Sequence, residues 1–460
     1  MSSSEELSER LRNLRCTDIE AFVGLGRYVT KGRGISGVIK ERPEEFKVWE
    51  VLEGGVEAID PRYPVTSPIL PWALYVLYKR DRELVRAVSE FAKEVGTRPS
   101  RVSVGGVKDR RAETWQFIAI PTSDHLRSGA REVRWHSVAA KHIGFIDYLS
   151  SSKIIANRFK VVVSRIKEFS EGALSDLFGE LKSSGVPNYF GHQRFGVVRP
   201  ISHLVGRLIV RGEYEEAVRL FIGGHSPFER REVQEMRRTF FETQDYGFVV
   251  DEFPSSLRYE KAIARHLMRR SGDFVNALRR MPLRLRRLIV ESYASFLFNK
   301  ALNVTLSEGL SPLEPTVGDL ITVPDVYGYP SGQVFEVTKW NIEEVDKRLR
   351  RKDVYIVMPV PGHGVRVPRG ARGSALQKVL EEEGVRMDQF RLRGMNEAGT
   401  VGSFRPILVP RFNVTSFNSL DESSAVIDLE MSRGSYATCL LREVMKSECA
   451  LAYVGNPHVH

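Results

Sequence analysis

A single carboxylate, Asp109, stands between Lys108 and Arg110 just past a glycine pair, in the run GGVKDRRAETWQ from Gly105 to Gln116. Flanking cations favour the ionised form of an acid and hold its pKa below the ordinary value of about 3.9. A carboxylate kept charged in this way suits a nucleophile working next to phosphates. The same composition also makes solvated turns. A second stretch, NYFGHQRFG from Asn188 to Gly196, sets Tyr189, Phe190 and Phe195 among Asn188, Gln193, His192 and Arg194. Its glycines let backbone approach a ligand closely. Aromatic rings stack on unstacked bases, and amides read base edges. A hairpin with an aromatic core cluster is the competing reading.

The elements that must position these residues follow from periodicity. Residues 5–29 read as a short helix and a connection. GVIKERPEEFKVWEVLE, from Gly37, is strand-like, with Phe46 and Val48 alternating with Lys47 and Trp49. PILPWALYVLYKR, from Pro68, reads as an apolar strand. The next segment is an amphipathic helix with Leu84, Val85, Val88, Phe91 and Ala92 on one stripe and Gly96 as its cap. RVSVGGVKDRRAETWQFIAIP reads as strand, loop, strand, which puts Asp109 on a loop held by a rigid scaffold. RFKVVVSRI is a further strand, and EGALSDLFGELKSSG a helix closed by Gly185. A helical region then runs to about Asn303. The tail AVIDLEMSRGSYATCLLREVMK reads as strand, turn and closing helix. GHGVRVPRGARGS, from Gly362 to Ser374, is a basic glycine-rich loop.

The chain of 460 residues is long enough for two or three domains. With 42% hydrophobic and 27% charged residues it is a folded rather than a disordered chain. A net charge of +10 points to an anionic partner, nucleic acid foremost. Lys261 to Arg287 concentrates that charge: Lys261, Arg265, Arg269, Arg270, Arg279, Arg280, Arg284, Arg286 and Arg287 against one acid, Asp273. A solvated face ordinarily mixes both signs, so this stretch is expected to face phosphates, with Lys261, Arg265 and Arg269 on one helical face.

Three cysteines, Cys16, Cys439 and Cys449, without a C-x-x-C, argue against a disulfide framework and for a reducing compartment. The N-terminus lacks the apolar core of a secretory signal, and no run approaches the roughly 20 apolar residues of a membrane helix. A soluble cytoplasmic protein is expected. No metal site is expected either. His136 and His142 are not at ligand spacing, and His458 and His460 fall at a terminus prone to fraying. No P-loop or G-x-G-x-x-G occurs, and KGRGISG lacks the G-K-[ST] ending.

Taken together, these stretches resemble the TruD family of tRNA pseudouridine synthases. GGVKDRRAETWQ is similar to its G-x-K-D-R-x-A-x-T-x-Q motif, and NYFGHQRFG to its N-Y-F-G-x-Q-R-F-G motif. IKERPEEFKVWE resembles K-x-x-P-E-D-F-x-V-x-E, with Glu45 at the usual aspartate. RGSYATCLLRE resembles G-S-[FY]-A-T-x-x-[LI]-R-E, and ESYASFLFNKAL fits a helix of the same family. The resemblance implies an α+β fold: a catalytic domain with a mixed, mostly antiparallel sheet, interrupted by an inserted α/β TRUD domain. That gives 1–213 as the first catalytic part, 214–401 as the insertion, and 402–460 as the closing part. The insertion's size matches archaeal or eukaryotic members better than bacterial ones.

The function implied is isomerisation of uridine to pseudouridine in tRNA, usually at uridine 13 of the D arm, without cofactor or metal. By motif position Asp109 is the catalytic aspartate. The resemblance places Phe190 to stack on the flipped base and Asn188 on its edge. Phe46 and Tyr436 line the pocket, and Lys40 pairs with the Asp109 carboxylate or a phosphate. Lys108 and Arg110 hold flanking phosphates, and Gln193 and Arg194 join the substrate contacts. Phe46 by itself would read as ordinary strand packing. A monomer without an obligate protein partner is expected. Alternatives are the same chemistry at other RNA sites, or an RNA-binding protein without turnover, which would leave the Asp109 motif without purpose. A methyltransferase would need a cofactor loop that is not found.

Overall fold

Alternation of side chains folds two early stretches of the computed structural model into strands, β1 (Ser36–Ile39) and β2 (Phe46–Leu52). Period 2 sends Phe46, Val48 and Glu50 of β2 to one face. β3 (Val56–Glu57) turns back on β2. The apolar run expected from Pro68 forms β4 (Trp72–Arg80). Pro68 itself lies outside the described residues, which are 2–61, 69–167, 170–453 and 455; His458 and His460 also lie outside them. β5 (Ser103–Val104), β6 (Glu113–Pro121), β7 (Glu132–Trp135), β8 (Val138–Ile146) and β9 (Ile154–Ile166) follow. A separate four-stranded antiparallel sheet has the order β11-β10-β12-β13, from β10 (Leu320–Pro324), β11 (Pro330–Glu336), β12 (Tyr355–Val360) and β13 (Ser403–Pro406). β14 (Phe412–Asp421) and β15 (Ser424–Ser432) return to the first sheet.

That first sheet has the order β14-β15-β9-β2-β6-β4-β8-β7, with β1 beside β9, β3 beside β2 and β5 beside β6. β2 and β6 run parallel and the other pairs antiparallel, which makes it the mixed, mostly antiparallel sheet of an α+β fold.

The helices are α1 (Ser3–Arg12), α2 (Ile19–Phe22), α3 (Leu84–Glu94), α4 (Thr122–Ser128) and α5 (Glu171–Ser184), then α6 (Ser202–Arg211) and α7 (Tyr214–Gly223). α8 (Arg231–Thr243), α9 (Tyr246–Glu252), α10 (Arg258–Arg269), α11 (Phe274–Leu278) and the long α12 (Leu283–Ser307) continue the helical region. α13 (Ile342–Arg350) and α14 (Ala371–Glu382) connect strands of the small sheet, and α15 (Ala437–Met445) closes the chain. The glycine-rich loop therefore ends earlier than expected, because α14 already begins at Ala371.

One apolar core joins Ile39, Val161 and Ile427 of the sheet to Leu174, Leu297 and Leu440 of the helices. A second seats α3 on the sheet through Leu84, Phe91, Tyr75 and Ile118. Each such burial contributes roughly 1.5–3 kcal/mol. One member of the expected α3 stripe is displaced: Val85 is exposed and Ala87 takes the buried position. Gly96 follows the helix with φ +64°, as its capping role requires.

Cys16 and Cys449 form a disulfide with Cα atoms 5.0 Å apart, leaving buried Cys439 as a thiol. The expectation against a disulfide framework is corrected at this one pair: cysteines separated by 433 residues carry no local spacing signal. Among the described residues no helix is long and apolar enough to cross a membrane.

Candidate active site

Registration of β2 against β9 builds one side of a cavity. Glu50 faces Asn157 and Val48 faces Phe159, so residues two apart on each strand present to the same side. The Gly105–Asp109 loop and the segment from Arg433 to Thr438 complete a cavity of about 510 Å³. The glycine pair has a steric cause. A Cβ on Gly105 would come within 2.8 Å of Ile154 and 2.9 Å of Glu50, and one on Gly106 within 2.9 Å of Lys108 Nζ. Gly191 of the NYFG stretch passes the opposite wall closely, where a Cβ would lie 2.8 Å from the Tyr436 ring.

Asp109 borders this cavity, its side chain 32% exposed, with Oδ2 2.5 Å from Lys40 Nζ. Burial alone would raise its carboxyl pKa, but Lys40, then Lys79 and Lys108, outweigh burial and hold it below the ordinary value. Lys40 is buried in the left-handed backbone region at φ +62°, which costs a non-glycine residue roughly 1 kcal/mol or more. Arg111 clamps that turn by donating from Nε to the Lys40 carbonyl at 2.7 Å and from its guanidinium to the Glu41 carbonyl. Lys40 Nζ also sits 4.1 Å from the Phe46 ring centre, a cation–π contact.

The bases that crowd Asp109 in sequence point to different places. Lys108 Nζ pairs with the buried Glu50 at 2.5 Å, and Glu50 Oε2 also accepts the Phe117 N–H at 2.7 Å. Arg110 stands outward, 3.5 Å from Asp81, and does not line the cavity. Phe46, Lys108, Gln193 and Tyr436 line the cavity together with Asp109. Phe190 lies behind that wall, 6.2 Å from the Tyr436 ring and capped by Arg405 at 4.2 Å. Arg194 is held by Glu291 at 2.9 Å and Ser295 at 3.1 Å on α12. Asn188 is buried away from the cavity lining. Its Nδ2 donates to the Pro406 carbonyl at 3.0 Å and its Oδ1 accepts from Arg405 at 2.6 Å. The NYFG stretch is a bend with a short helical turn at His192–Arg194, not a hairpin. Tyr189 and Phe195 do enter the core, while burial pushes His192 down to about 4 and keeps it neutral.

Three site residues escaped the sequence reading. Lys79, at the end of apolar β4, donates to the Asp109 carbonyl at 2.6 Å; burial pushes it down to about 8. Nothing local distinguishes it from any strand-end lysine. Glu50 is the last residue of the quoted IKERPEEFKVWE stretch, so a signal existed. Arg405, which bridges Asn188 and Phe190, sits in no motif.

The basic stretch divides on inspection. Lys261 donates to the Phe253 carbonyl at 2.6 Å, so it does not share a free face with Arg265 and Arg269. Arg279 and Arg286 converge on Glu397, and Arg287 donates to the Glu397 carbonyl at 2.9 Å. His136 and His142 are not joined as ligands: His142 stacks on His125 with ring centres 4.1 Å apart. Among the described residues no group of three or more His, Cys, Asp or Glu could hold a metal ion.

A mixed sheet with one loop carboxylate held among lysines over a nucleoside-sized cavity matches a solved fold. The crystal structure of the Methanosarcina mazei protein described as tRNA pseudouridine synthase D (TruD) aligns with a TM-score of 0.75 at 28% identity, covering 95% of this chain and 99% of that one. The fold is that of a pseudouridine synthase. The family model for tRNA pseudouridine synthase D matches residues 22–444. A Thermococcus onnurineus protein named as a probable tRNA pseudouridine synthase D is 31% identical over 93% of this chain and 99% of its own length. A Pyrococcus furiosus protein of the same name is 32% identical over 92% and 99%. The chain belongs to the TruD family.

Proposed function

We propose that this protein isomerises uridine to pseudouridine in tRNA, at uridine 13 of the D arm, with Asp109 as the catalytic carboxylate. The observation that carries the reading is one carboxylate at the cavity's edge, kept ionised by Lys40, Lys79 and Lys108. Flipping the base out of the RNA costs about a few kcal/mol. Stacking on an aromatic wall returns about 1–3 kcal/mol per base, and Phe46 and Tyr436 supply such rings. Gln193 Oε1 accepts from Thr438 at 3.3 Å, which leaves its amide N–H groups for a uracil carbonyl. Asn188 would serve the base edge only if Arg405 and Pro406 released it.

The reaction balances within the substrate. Asp109 attacks C1′ or takes a ribose proton, and the C1′–N1 bond breaks. The freed base turns inside the cavity, and C5 bonds to C1′ as the Asp109–C1′ bond breaks or the ribose proton is returned, which restores the free carboxylate. The C5 hydrogen leaves as a proton, and N1 ends protonated. No electron donor or transferred group is required. Phe190, behind Tyr436, and Arg194, fixed to α12, brace the wall against which the base turns. Lys108 tunes Asp109 from its pair with Glu50, while outward Arg110, 3.5 Å from the exposed Asp81, can turn to a flanking phosphate. Residues 214–401 serve as the inserted TRUD domain, though the small sheet takes its last strand from Ser403–Pro406. The enzyme acts as a cytoplasmic monomer.

Release of tritium from tRNA labelled at uridine C5 tests catalysis, because pseudouridine formation displaces that hydrogen. Carbodiimide-dependent primer-extension stops then locate the nucleotide. Binding of tRNA without tritium release would leave an RNA-binding protein and overturn the assignment.

A further inference from the structure

Four guanidiniums converge, and among the described residues no acid pairs with any of them. Arg265, Arg269 and Arg270 at the end of α10, with Arg280 beyond α11, line a depression of about 420 Å³. Among the described residues Arg265, Arg269 and Arg270 form no ion pair and no side-chain hydrogen bond, and all three are exposed. Arg280 is held in position. Its Nη2 lies 3.0 Å from His266 Nδ1, and His266 Nε2 lies 3.0 Å from Asp273 Oδ2, which Asn276 also bonds. The one acid of the Lys261–Arg287 stretch is therefore bonded on the far side of His266, where it orients an arginine rather than neutralising the depression. Favourable interaction with the C-terminal end of α10 would account for a lone cation there, at about 0.3–1 kcal/mol. It does not account for Arg280, which comes from outside that helix and is pinned toward the same hollow.

We infer that this depression is a docking site for the phosphodiester backbone of the RNA substrate. The inference rests on the tRNA reading above and adds a second place where the substrate is held. Guanidiniums offer forked donors that match phosphate oxygens. The site is also coupled to the cavity by one rigid element. α12 begins just after Arg280, and its Glu291 and Ser295 hold Arg194. At about 1.5 Å per residue, the path from the start of α12 to Glu291 is roughly 12 Å, short against a folded tRNA. The site gives affinity; Asp109 gives chemistry.

The experiment uses the full chain and an unmodified tRNA transcript. Affinity is measured across a salt series for wild type, for Arg265→Glu/Arg269→Glu, and for a control of equal charge change, Lys347→Glu/Arg351→Glu at the end of α13. Circular dichroism checks folding, and Arg265→Gln/Arg269→Gln replaces the reversal if that variant is unfolded. The expected result is roughly tenfold or greater weakening, with the slope of log K against log salt reduced by about 1.4–1.8 for two lost phosphate contacts. The single-turnover rate at saturating enzyme stays at the wild-type value, and the control changes far less. Unchanged affinity and slope in a folded variant overturns the site, as does a control that weakens binding equally. If wild type binds tRNA yet releases no tritium, the catalytic reading falls while the salt slope still decides the site.

Discussion

The molecule holds two gatherings of basic side chains, and they are built on opposite principles. Around Asp109, Lys40 and Lys79 are buried and each has a partner: a carboxylate for one, a backbone carbonyl for the other. Lys108 is answered by Glu50. At the end of α10, Arg265, Arg269 and Arg270 are exposed and unanswered among the described residues. Buried charges must be paired, since an unpaired one costs several kcal/mol. Exposed guanidiniums pay no such desolvation cost. The first group can therefore be read as tuning one carboxylate and the second as waiting for an anion from outside.

The largest effect expected at the enclosed group comes from Asp109→Asn. It removes the ionisable carboxylate and leaves Lys40 buried without its counter-ion. Turnover should fall on the order of 10⁴-fold or more, and tRNA affinity should persist because the α10 site is untouched. Near-normal tritium release by a clean preparation would break the comparison at its catalytic end. Stability should also drop, by up to about 3 kcal/mol, readable in urea denaturation.

Lys40→Met tests the tuning. Asp109 has a lowered pKa, so its ionised form, and the stability it brings, is present above the unfolded value of about 3.9 and lost as pH falls through the folded one. Without Lys40 the acid limb of the single-turnover pH profile should move upward, because the largest opposing charge is gone. An acid limb at the wild-type position in a folded variant would mean that Lys40 does not set the ionisation.

Lys79 gives a subtler signature. Its pKa is pushed down to about 8, so between that value and about 10.5 the unfolded chain binds the extra proton. Stability from this group therefore rises with pH across that window. Lys79→Met should flatten the rise relative to wild type, by on the order of 3 kcal/mol over the full span. Parallel Tm–pH curves for the two proteins would contradict the burial argument.

The smallest effect belongs to Glu397→Gln. Hydrogen bonds from Arg279 lower the Glu397 carboxyl to about 2, but it is partly exposed, so the loss should stay within about 1 kcal/mol. tRNA affinity should not weaken, because Arg279, Arg286 and Arg287 belong to the fold and not to the docking site. A marked loss of affinity would move them across that line.

What could be read in the linear chain follows the same division. Asp109, Lys40, Phe46 and Tyr436 lie in long motifs, and the cavity brings them together because strand period and loop position are local properties. Lys79 and Arg405 were invisible, since their roles depend on neighbours far away in sequence. The count of bases between Lys261 and Arg287 located a charged region but could not sort it. The acid that claims Arg279 and Arg286 is Glu397, beyond the small sheet's β12, and the acceptor for Lys261 is a backbone carbonyl. The role of Asn188 shifted for a similar reason: its amide faces Arg405 and Pro406, which no motif announced.

The sheet draws its strands from both ends of the chain, and β15 pairs with β9 along its length. Synthesis on the ribosome is vectorial, at about 5–20 residues per second. The loop bearing Asp109 is therefore made tens of seconds before Tyr436 and Thr438, which close the same cavity. The cavity is completed only when translation is nearly over, so a transcript cut short upstream of β15 leaves Asp109 without the wall that Tyr436 and Thr438 supply.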